Sequence, residues 1–402
     1  MAKKRRKKQS KAIPVLVAIA LIIIIGGIGL GTGILSKYSY SNETMDLKKY
    51  FNIEKNDEVA IVLQNEHIET KAKLHQGVYY LDFDAVQDLL NDRFYHDVAE
   101  GLLLYTTPTE IIRTTVGSDI YTVGDKTVNA GYITSFYEGE VLYVAMDYVR
   151  NYTNFSYEPY TEPNRMQLTT AWEETTTAKV GKRTQIRYRG GVKSDILREV
   201  EKGEIVTVLE QFDNWTKVKT FDAFIGFVPS RTLKNIETAI PQVEPNYVEP
   251  EYTSLTRDYK INMGWHQVMS TAANDTLSSV VMANSDMNVI SPTWFSLKST
   301  NGDIRSIATQ SYVDKAHDMG MEVWALIDNF DKDVSTYQTL SKTTSRTNLI
   351  QNLMSEVLKY DIDGINVDFE EVSYDAGEPF VQFIRELSIE CRKEGIVLSV
   401  DN

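Results

Sequence analysis

Cysteine and histidine are scarce in this chain of 402 residues. The single cysteine, Cys391, excludes an intrachain disulfide and a zinc site built from cysteines. The five histidines show neither HxH nor HxxxH spacing, so they form no recognisable metal-binding pattern. We therefore predict that the protein uses no metal and no cofactor.

Positive charge is also scarce beyond the N-terminus. The first eleven residues carry seven Lys and Arg side chains and no acid, whereas the whole chain has a net charge of −14, so the rest carries −21. Because nucleic-acid phosphates require surfaces rich in Lys and Arg, this acidic body argues against nucleic acid as a partner.

No charge lies between Lys11 and Lys37, and residues 15–25 are almost entirely aliphatic. About 20 apolar residues span a hydrocarbon core of about 30 Å. We therefore predict a basic cytoplasmic tail (1–11) and a transmembrane anchor (12–36). Since basic residues stay on the cytoplasmic side, the predicted location is the cell membrane, single-pass, with the bulk of the chain outside. A cleaved signal peptide is the alternative, but its apolar region would be shorter.

Residues 37–172 contain an approximate repeat. The run VYYLDFDAV at 78–86 is echoed by VLYVAMDYV at 141–149, about 63 residues later, and each run precedes aromatic residues and an apolar-Thr-Thr segment. Each unit predicts a strand, a helix and further strands. The pattern resembles the small α+β module named after the N-terminal domain of copper amine oxidases, without copper ligands. We interpret it as a stalk or wall-contact module.

Residues 176–236 show alternating apolar residues in short segments, interrupted by Gly203 and by a turn near Asp213-Asn214. This spacing predicts a small β-barrel and resembles a bacterial Src-homology-3-like domain. The resemblance implies binding of cell-wall peptides or packing against a hydrolase. A Pro- and Glu-rich stretch at 237–257 then predicts an extended linker.

From residue 258 the rhythm changes to strands that alternate with helices, which predicts a parallel sheet and, by its spacing, a (β/α)8 TIM barrel. The predicted strands are Ile261–Val268, Met287–Trp294, Glu322–Asp328, Gly364–Glu370 and Ile396–Asn402, and the predicted helices are Ile304–Met319, Thr347–Lys359 and Pro379–Glu394. A complete barrel needs about 250 residues. Residues 258–402 therefore predict a barrel truncated after strand 5, a fragment that we expect to be inactive by itself.

The fourth of these strands carries the sequence DGINVDFE at 363–370. Side chains alternate along a strand, so Asn366, Asp368 and Glu370 should share one face. Such a row of polar groups is costly to bury unless it has a function. The carboxyl ends of barrel strands are also where catalytic residues lie.

This segment resembles the DGxDxDxE signature of glycoside hydrolase family 18, the chitinase-like enzymes. The resemblance implies that Glu370 is the general acid, that Asp368 supports the substrate's N-acetyl group as it attacks, and that Asp363 is the motif's first aspartate. Hydrolysis in that family is substrate-assisted and retaining. Asn366 departs from the family, which usually has an aspartate there.

The string GINVDFE resembles the branch of this family found in bacterial cell-wall and spore-cortex lytic enzymes, as do ISPTWF at 290–295 and INMGW at 261–265. The resemblance implies peptidoglycan, a polymer that contains N-acetylglucosamine, as the substrate, with a chitin-type oligosaccharide as the other possibility. Further residues at strand ends are predicted to contact the substrate, although core packing is the alternative for the aromatic ones: Trp265, Trp294, Asp328, Asn329 and Asn402.

The predicted function is therefore a membrane-anchored extracellular glycosidase that acts on cell-wall glycan. Two alternatives remain open at the level of the sequence. One is a non-catalytic glycan-binding or envelope scaffold protein, which the amide at Asn366 favours. The other is a membrane-tethered signalling or assembly factor that works through the modules before residue 237.

Overall fold

The structure is a computed structural model that describes residues 15, 17–24, 37, 39–240, 247–283 and 286–401. The predicted basic tail, Asn402 and most of the predicted anchor lie outside the described residues. Residues 17–24 are helical. Among the described residues, no helix is both long and apolar enough to cross a membrane.

Contacts divide the chain into two units, each made of two segments. Unit 1 comprises Met1–Ala72 and Phe155–Pro245, and unit 2 comprises Lys73–Asn154 and Asn246–Asn402. The predicted module at 37–172 contributes residues to both units. Its boundaries, like the other predicted domain boundaries, stay a prediction.

Unit 1 is built from short strands. A parallel pair joins β1 to β12, and β11 pairs antiparallel with β12. A separate seven-stranded antiparallel sheet has the order β15-β14-β18-β17-β16-β13-β19. The strands of unit 1 are β1 (Glu58–Leu63), β11 (Ser156–Tyr160), β12 (Arg165–Thr169), β13 (Thr175–Val180), β14 (Thr184–Arg187), β15 (Ile196–Val200), β16 (Ile205–Gln211), β17 (Trp215–Thr220), β18 (Ile225–Pro229) and β19 (Leu233–Ala239).

Alternation along these strands places one face in a common apolar core. Val206, Val218 and Val228 are fully buried there, and burial of such side chains stabilises each by about 1.5–3 kcal/mol. The segment before β1 joins the same core through Phe51, beside the short helix α1 (Leu47–Tyr50). The Tyr50 hydroxyl donates to the Ile225 carbonyl at 2.6 Å, which attaches this segment to β18.

In unit 2, residues 73–154 form two antiparallel sheets. The end of β2 pairs with β3, β3 with β10 and β10 with β9, and the second sheet has the order β4-β5-β6-β7-β8. The elements are the end of β2 (Glu66–His75), whose first seven residues belong to unit 1, β3 (Val78–Asp82), α2 (Phe83–Leu89), β4 (Phe94–Asp97), β5 (Leu102–Thr106), β6 (Ile111–Thr115), β7 (Ile120–Val123), β8 (Lys126–Asn129), β9 (Ser135–Glu138), β10 (Val141–Ala145) and α3 (Met146–Arg150). Both echoed runs are thus a strand followed by a short helix.

The second segment of unit 2 contains a parallel sheet with the order β20-β21-β23-β24-β25. These five strands follow one another in the sheet as they do in the chain. The complete TIM barrel stays a prediction. The strands are β20 (Met263–His266), β21 (Val289–Leu297), β22 (Ile304–Ser306), β23 (Glu322–Asp328), β24 (Gly364–Asp368) and β25 (Val397–Val400).

Helices connect these parallel strands. They are α4 (Leu277–Ala283), α5 (Gln310–Asp318), α6 (Thr336–Leu340), α7 (Thr343–Tyr360) and α8 (Gly377–Glu394). The predicted helix Ile304–Met319 is wrong at its start, because Ile304–Ser306 forms β22 and pairs antiparallel with Phe295–Leu297. The helix proper begins only at Gln310, after the extended Thr309.

The two segments of unit 2 meet in a buried polar cluster, which we call the docking network. Arg346 on α7 donates to both carboxylate oxygens of Glu386 on α8, at 3.2 and 3.0 Å. The Gln382 amide donates to Glu386 and to the hydroxyl of Thr106, which belongs to residues 73–154. All its members are buried: Asp97, Thr106, Thr343, Arg346, Gln382 and Glu386.

The amino end of α7 is capped by a residue from the other segment. Asp97 accepts from the backbone N–H of Thr343 at 2.6 Å and from its hydroxyl at 2.7 Å. Helix starts leave backbone donors unsatisfied and favour negative charge, and Lys342 makes no side-chain cap here. Asp97 therefore caps the 18-residue helix α7 and in this way attaches residues 73–154 to the parallel-strand region.

Candidate active site

Strand β24 ends at Asp368, and the chain continues through Phe369 to Glu370 at the carboxyl edge of the parallel sheet. Asp368 is half-buried and Glu370 is exposed. Both line an open cleft of about 1000 Å³, together with Trp265 and Asp401. The period of two along the strand thus brings both predicted catalytic carboxyls to one cleft.

Asp368 lies among carboxylates that come from three strand ends. Its pKa is raised by burial first, then by the negative charges of Asp401, Glu370 and Asp328. We call Asp328, Asp368, Glu370 and Asp401 the carboxylate cluster. Like charges gathered in one cleft disfavour full ionisation, and such perturbed groups are typical of catalytic sites.

Asp328 is the register neighbour of Asp368 on β23. Burial raises its pKa, whereas a backbone hydrogen bond from Phe330 and the charge of Arg305 oppose that rise. Its Oδ1 accepts from the Phe330 N–H at 3.1 Å. The structure therefore places Asp328 in the carboxylate cluster, where its charge acts on Asp368.

Asn329 holds the main chain of Glu370. Its Oδ1 accepts from the Glu370 N–H at 2.9 Å, and its Nδ2 donates to the Glu370 carbonyl at 2.8 Å. The same Nδ2 also donates to the Thr336 hydroxyl at 2.9 Å. Glu371 follows with a φ of 50°, which non-glycine residues rarely adopt. Asn329, predicted to contact the substrate, therefore orients Glu370 here.

Asn366 is fully buried behind Asp368 and points toward β25. Ser399 donates to its Oδ1 at 2.6 Å, which leaves the amide group to donate to Asp401 Oδ2 at 3.0 Å. Neither Ser399 nor Asp401 was predicted from the sequence. The ending Asp401-Asn402 was visible as a strand end, but only the register between β24 and β25 shows which of the two meets Asn366.

Asp363 lies at the other end of β24 from the cleft. Its Oδ2 accepts from the Val323 N–H at 2.7 Å and from His317 Nε2 at 2.9 Å. Asp363 and Asp368 are five residues apart, about 16 Å along an extended strand. Asp363, which the resemblance identifies as the motif's first aspartate with a supporting role, therefore lies away from the cleft and joins the starts of β23 and β24.

The two tryptophans predicted to contact substrate have opposite environments. Trp294 is 1% exposed, donates from Nε1 to Asn274 at 2.8 Å and packs edge-on against Tyr312. It belongs to the core, so the prediction of a sugar-stacking role is corrected. Trp265 is 58% exposed and lines the cleft, which agrees with the predicted contact to substrate.

Asn402, the remaining predicted contact residue, lies outside the described residues. Among the residues that the structure describes, no group of three or more His, Cys, Asp or Glu side chains is arranged to hold a metal ion. The predicted absence of metal and cofactor stays a prediction.

Several solved structures resemble part of this chain. The C-terminal domain of a putative chitinase from Desulfitobacterium hafniense DCB-2 is 19% identical, with a TM-score of 0.32, over 35% of this chain and 45% of that one. The spore cortex-lytic enzyme SleL from Bacillus cereus is 21% identical, with a TM-score of 0.32, over 40% and 39%.

A third structure is the putative sporulation-specific glycosylase ydhD from Bacillus subtilis, which is 28% identical, with a TM-score of 0.26, over 28% of this chain and 39% of that one. This chain spans less than half of each of these three structures. No curated protein matches it. Since all three TM-scores are below 0.5, these likenesses do not assign a function.

A family match covers part of unit 1. Residues 182–234 match the bacterial SH3 domain family, and they include the strands from β14 to β18 and the first residues of β19. No comparison bears on the resemblance of residues 37–172 to the module named after the N-terminal domain of copper amine oxidases, which stays a prediction. The predicted SH3-like domain is confirmed: residues 182–234 form a bacterial SH3 domain.

Proposed function

We propose that unit 2 carries the active site of a glycoside hydrolase that cleaves N-acetylglucosamine-containing cell-wall polymer, with peptidoglycan as the substrate. The observation that carries this proposal is the convergence of Asp368 and Glu370 at the carboxyl ends of parallel strands, facing an open cleft. Trp265 in the same cleft offers an exposed ring on which a sugar can stack.

In the proposed reaction, Glu370 donates its proton to the glycosidic oxygen as the bond to the anomeric carbon breaks. The carbonyl oxygen of the substrate's own N-acetyl group bonds to that carbon from the opposite face. Asp368 accepts a hydrogen bond from the acetamido N–H as positive charge develops on the ring that forms. Water then attacks the anomeric carbon and displaces the acetamido oxygen from it, which regenerates the N-acetyl group, and one proton of the water passes to Glu370.

The choice of a bacterial wall polymer rests on the remainder of the chain. The bacterial SH3 domain at 182–234 accompanies the cleft on one polypeptide, and domains of this type bind wall peptides or pack against hydrolases. Asn366, where the chitinase-like family usually has aspartate, matches the wall-lytic branch. The predicted anchor at 12–36 remains part of the proposal, because it would hold the cleft next to the wall.

The hydrolase is tested with a form of the protein that contains a complete barrel, because the truncated barrel is expected to be inactive by itself. The substrates are purified peptidoglycan sacculi and chitin oligosaccharides, and all variants are made in that form. The wild type should release reducing ends from sacculi, and Glu370→Gln should lower the rate by about 100-fold or more. Glu378→Gln changes an exposed glutamate eight residues further on and should leave the rate unchanged. Equal activity of Glu370→Gln would refute the assignment of the acid. Binding to sacculi without any product would support the scaffold alternative.

Anchoring is tested separately by fractionating cells that express the chain with a tag at each end. We expect the protein in the membrane fraction and the C-terminal tag alone accessible to external protease. Deletion of residues 12–36 should remove the chain from that fraction. Recovery of a shorter, freely released protein would instead support the cleaved signal peptide.

A further inference from the structure

The amide at position 366 removes a carboxylate from β24, and the next strand brings one to the same place. Asn366 is opposite Ser399, and Val367 opposite Val400, so Asp401 follows β25 where Asp368 ends β24. The Asp401 N–H donates to the Val367 carbonyl at 3.0 Å, which extends the pairing by one residue. Asp401 and Asp368 then line the same cleft.

The orientation of Asn366 is determined by its neighbours. Because the Ser399 hydroxyl can donate to Oδ1, the Nδ2 group is turned toward Asp401. A buried amide without partners would be costly, and here both of its polar atoms are satisfied. Asn366 thus acts as a fixed donor that positions the Asp401 carboxylate beside Asp368.

We propose that Asp401 is a second aspartate of the active site, supplying from the end of β25 the carboxylate partner of Asp368 that Asn366 cannot provide. This inference rests on the proposed function, because it assigns Asp401 a part in the same reaction. Asn366 is then a positioning residue. The family's pattern has a second carboxylate on the same strand as Asp368. In this chain position 366 is an amide, and the second carboxylate comes from Asp401 at the end of the neighbouring strand.

The charges around Asp368 support such a pair. Carboxylates face it from its own segment (Glu370), from β23 (Asp328) and from the end of β25 (Asp401), and Arg305 acts on Asp328. Burial raises the pKa of Asp368 most, and Asp401 is the first charge to add to that rise. Negative charges this close to Asp368 favour its protonated form.

The pair suits the proposed chemistry. The Asp401 carboxylate next to Asp368 adds negative charge close to the acetamido group, and that charge stabilises the positive charge that develops there. Neither aspartate gains or loses a proton in the proposed steps, so the proton balance of the hydrolysis is unchanged.

The test measures the ionisation of Asp368 directly, in full chain labelled with 13C at the aspartate carboxyls. The Asp368 signal is assigned by its loss in Asp368→Asn, and its pKa is compared between wild type, Asp401→Asn and Asp375→Asn. Asp401→Asn should lower the pKa of Asp368, because one neighbouring negative charge is removed. Asp375, exposed in the loop after Glu371, is the matched control and should have no effect.

Activity provides the second measurement. Asp401→Asn should lower kcat/KM on sacculi by about tenfold or more and move the acidic limb of its pH profile to lower pH. The swap Asn366→Asp with Asp401→Asn keeps one carboxylate and one amide in contact. The amide at position 401 then donates and the carboxylate at position 366 accepts. It should recover most of the loss.

The outcomes separate the two proposals. If Asp401→Asn leaves the pKa of Asp368 where it is in the wild type, the pair is refuted, whatever the activity. If the pKa falls but the wild type cleaves neither sacculi nor chitin oligosaccharides, the pair stands and the hydrolase proposal fails. A swap variant that folds with the wild-type melting temperature yet remains as impaired as Asp401→Asn would refute the catalytic part of the inference.

Discussion

The docking network and the carboxylate cluster are both polar, and both lie in unit 2, but their acidic side chains have opposite surroundings. In the docking network Glu386 is paired with Arg346, and Asp97 accepts from a backbone N–H and a hydroxyl. In the carboxylate cluster, acids from neighbouring strand ends face one another across an open cleft. A buried network whose charged groups are paired and hydrogen-bonded stabilises the fold, although Gln382 Oε1 has no hydrogen-bond partner among the described residues. Carboxylates gathered in one place are costly and are typical of functional sites.

Breaking the docking network should have the largest effect. Arg346→Met leaves Glu386 buried without its cation, and removing one partner of a buried pair costs about 3–5 kcal/mol. We expect urea or thermal unfolding of unit 2 to show that loss. The double variant Arg346→Met with Glu386→Leu should recover at least half of it, because no buried charge remains. If the double variant is no more stable than Arg346→Met, the stability lost in the single variant comes from the missing hydrogen bonds of the pair and not from the unpaired charge of Glu386.

The cap made by Asp97 gives the next largest effect. Asp97→Ala removes the oxygen that accepts both hydrogen bonds from Thr343 at the start of α7 and should destabilise unit 2 by about 2 kcal/mol. Glu100 also accepts from the Thr344 N–H, but it is less buried. Glu100→Ala is therefore the matched control, with an expected loss below about 1 kcal/mol. Equal losses in the two variants would mean that burial of Asp97 adds nothing to its cap.

On the side of the carboxylate cluster, Asn329→Ala should impair catalysis more than stability. Loss of both contacts frees the main chain of Glu370, and misplacement of a catalytic group costs about 10- to 100-fold in rate. We expect kcat to fall with KM within about twofold, because a positioning residue does not bind the sugar. Asn348→Ala, at an exposed asparagine on α7, should change neither. A raised KM with unchanged kcat would instead support the sequence-based prediction of substrate contact.

The two regions also differ in how much of them the sequence could predict. The period of two along 363–370 placed Asp368 and Glu370 on one face, and the strand Glu322–Asp328 was predicted with the bounds observed. Local patterns carry such information. The cap of Asp97 on Thr343 joins residues 246 positions apart, and no local sequence pattern predicts a partner at that distance.

The misplaced site residues have the same cause. Trp294 ends a polar-looking segment, but its burial depends on Tyr312 from α5, which packs against it. Asp363 belongs to the motif by sequence, yet its partners His317 and Val323 lie at the opposite end of the strand from the cleft. The partnership of Asn366 with Asp401 required the register of two strands. Sequence spacing predicts which face of a strand a side chain occupies. It does not predict which side chains from other elements lie next to it.

The smallest expected effect is a gain in stability, whereas the variants described above lose stability or activity. Because the pKa of Asp368 is raised in the folded protein, the native state holds its proton to higher pH than the unfolded state, whose aspartate pKa is about 3.9. Stability therefore falls as pH rises from that value through the raised pKa. Asp368→Asn removes this cost and should raise the melting temperature at pH 7 by about 1–2 °C, while it abolishes the proposed activity.

The pH dependence identifies the cause of this stabilisation. The gain from Asp368→Asn should fade as pH drops and disappear below about pH 3, where the wild-type carboxyl is protonated in both states. Asp375→Asn removes an exposed charge nearby and should leave the melting temperature unchanged at either pH. A gain that persists at low pH would trace to packing instead of charge. A wild type as stable as the variant at pH 7 would mean that the cluster stores no electrostatic cost, and the contrast with the docking network would then be one of exposure alone.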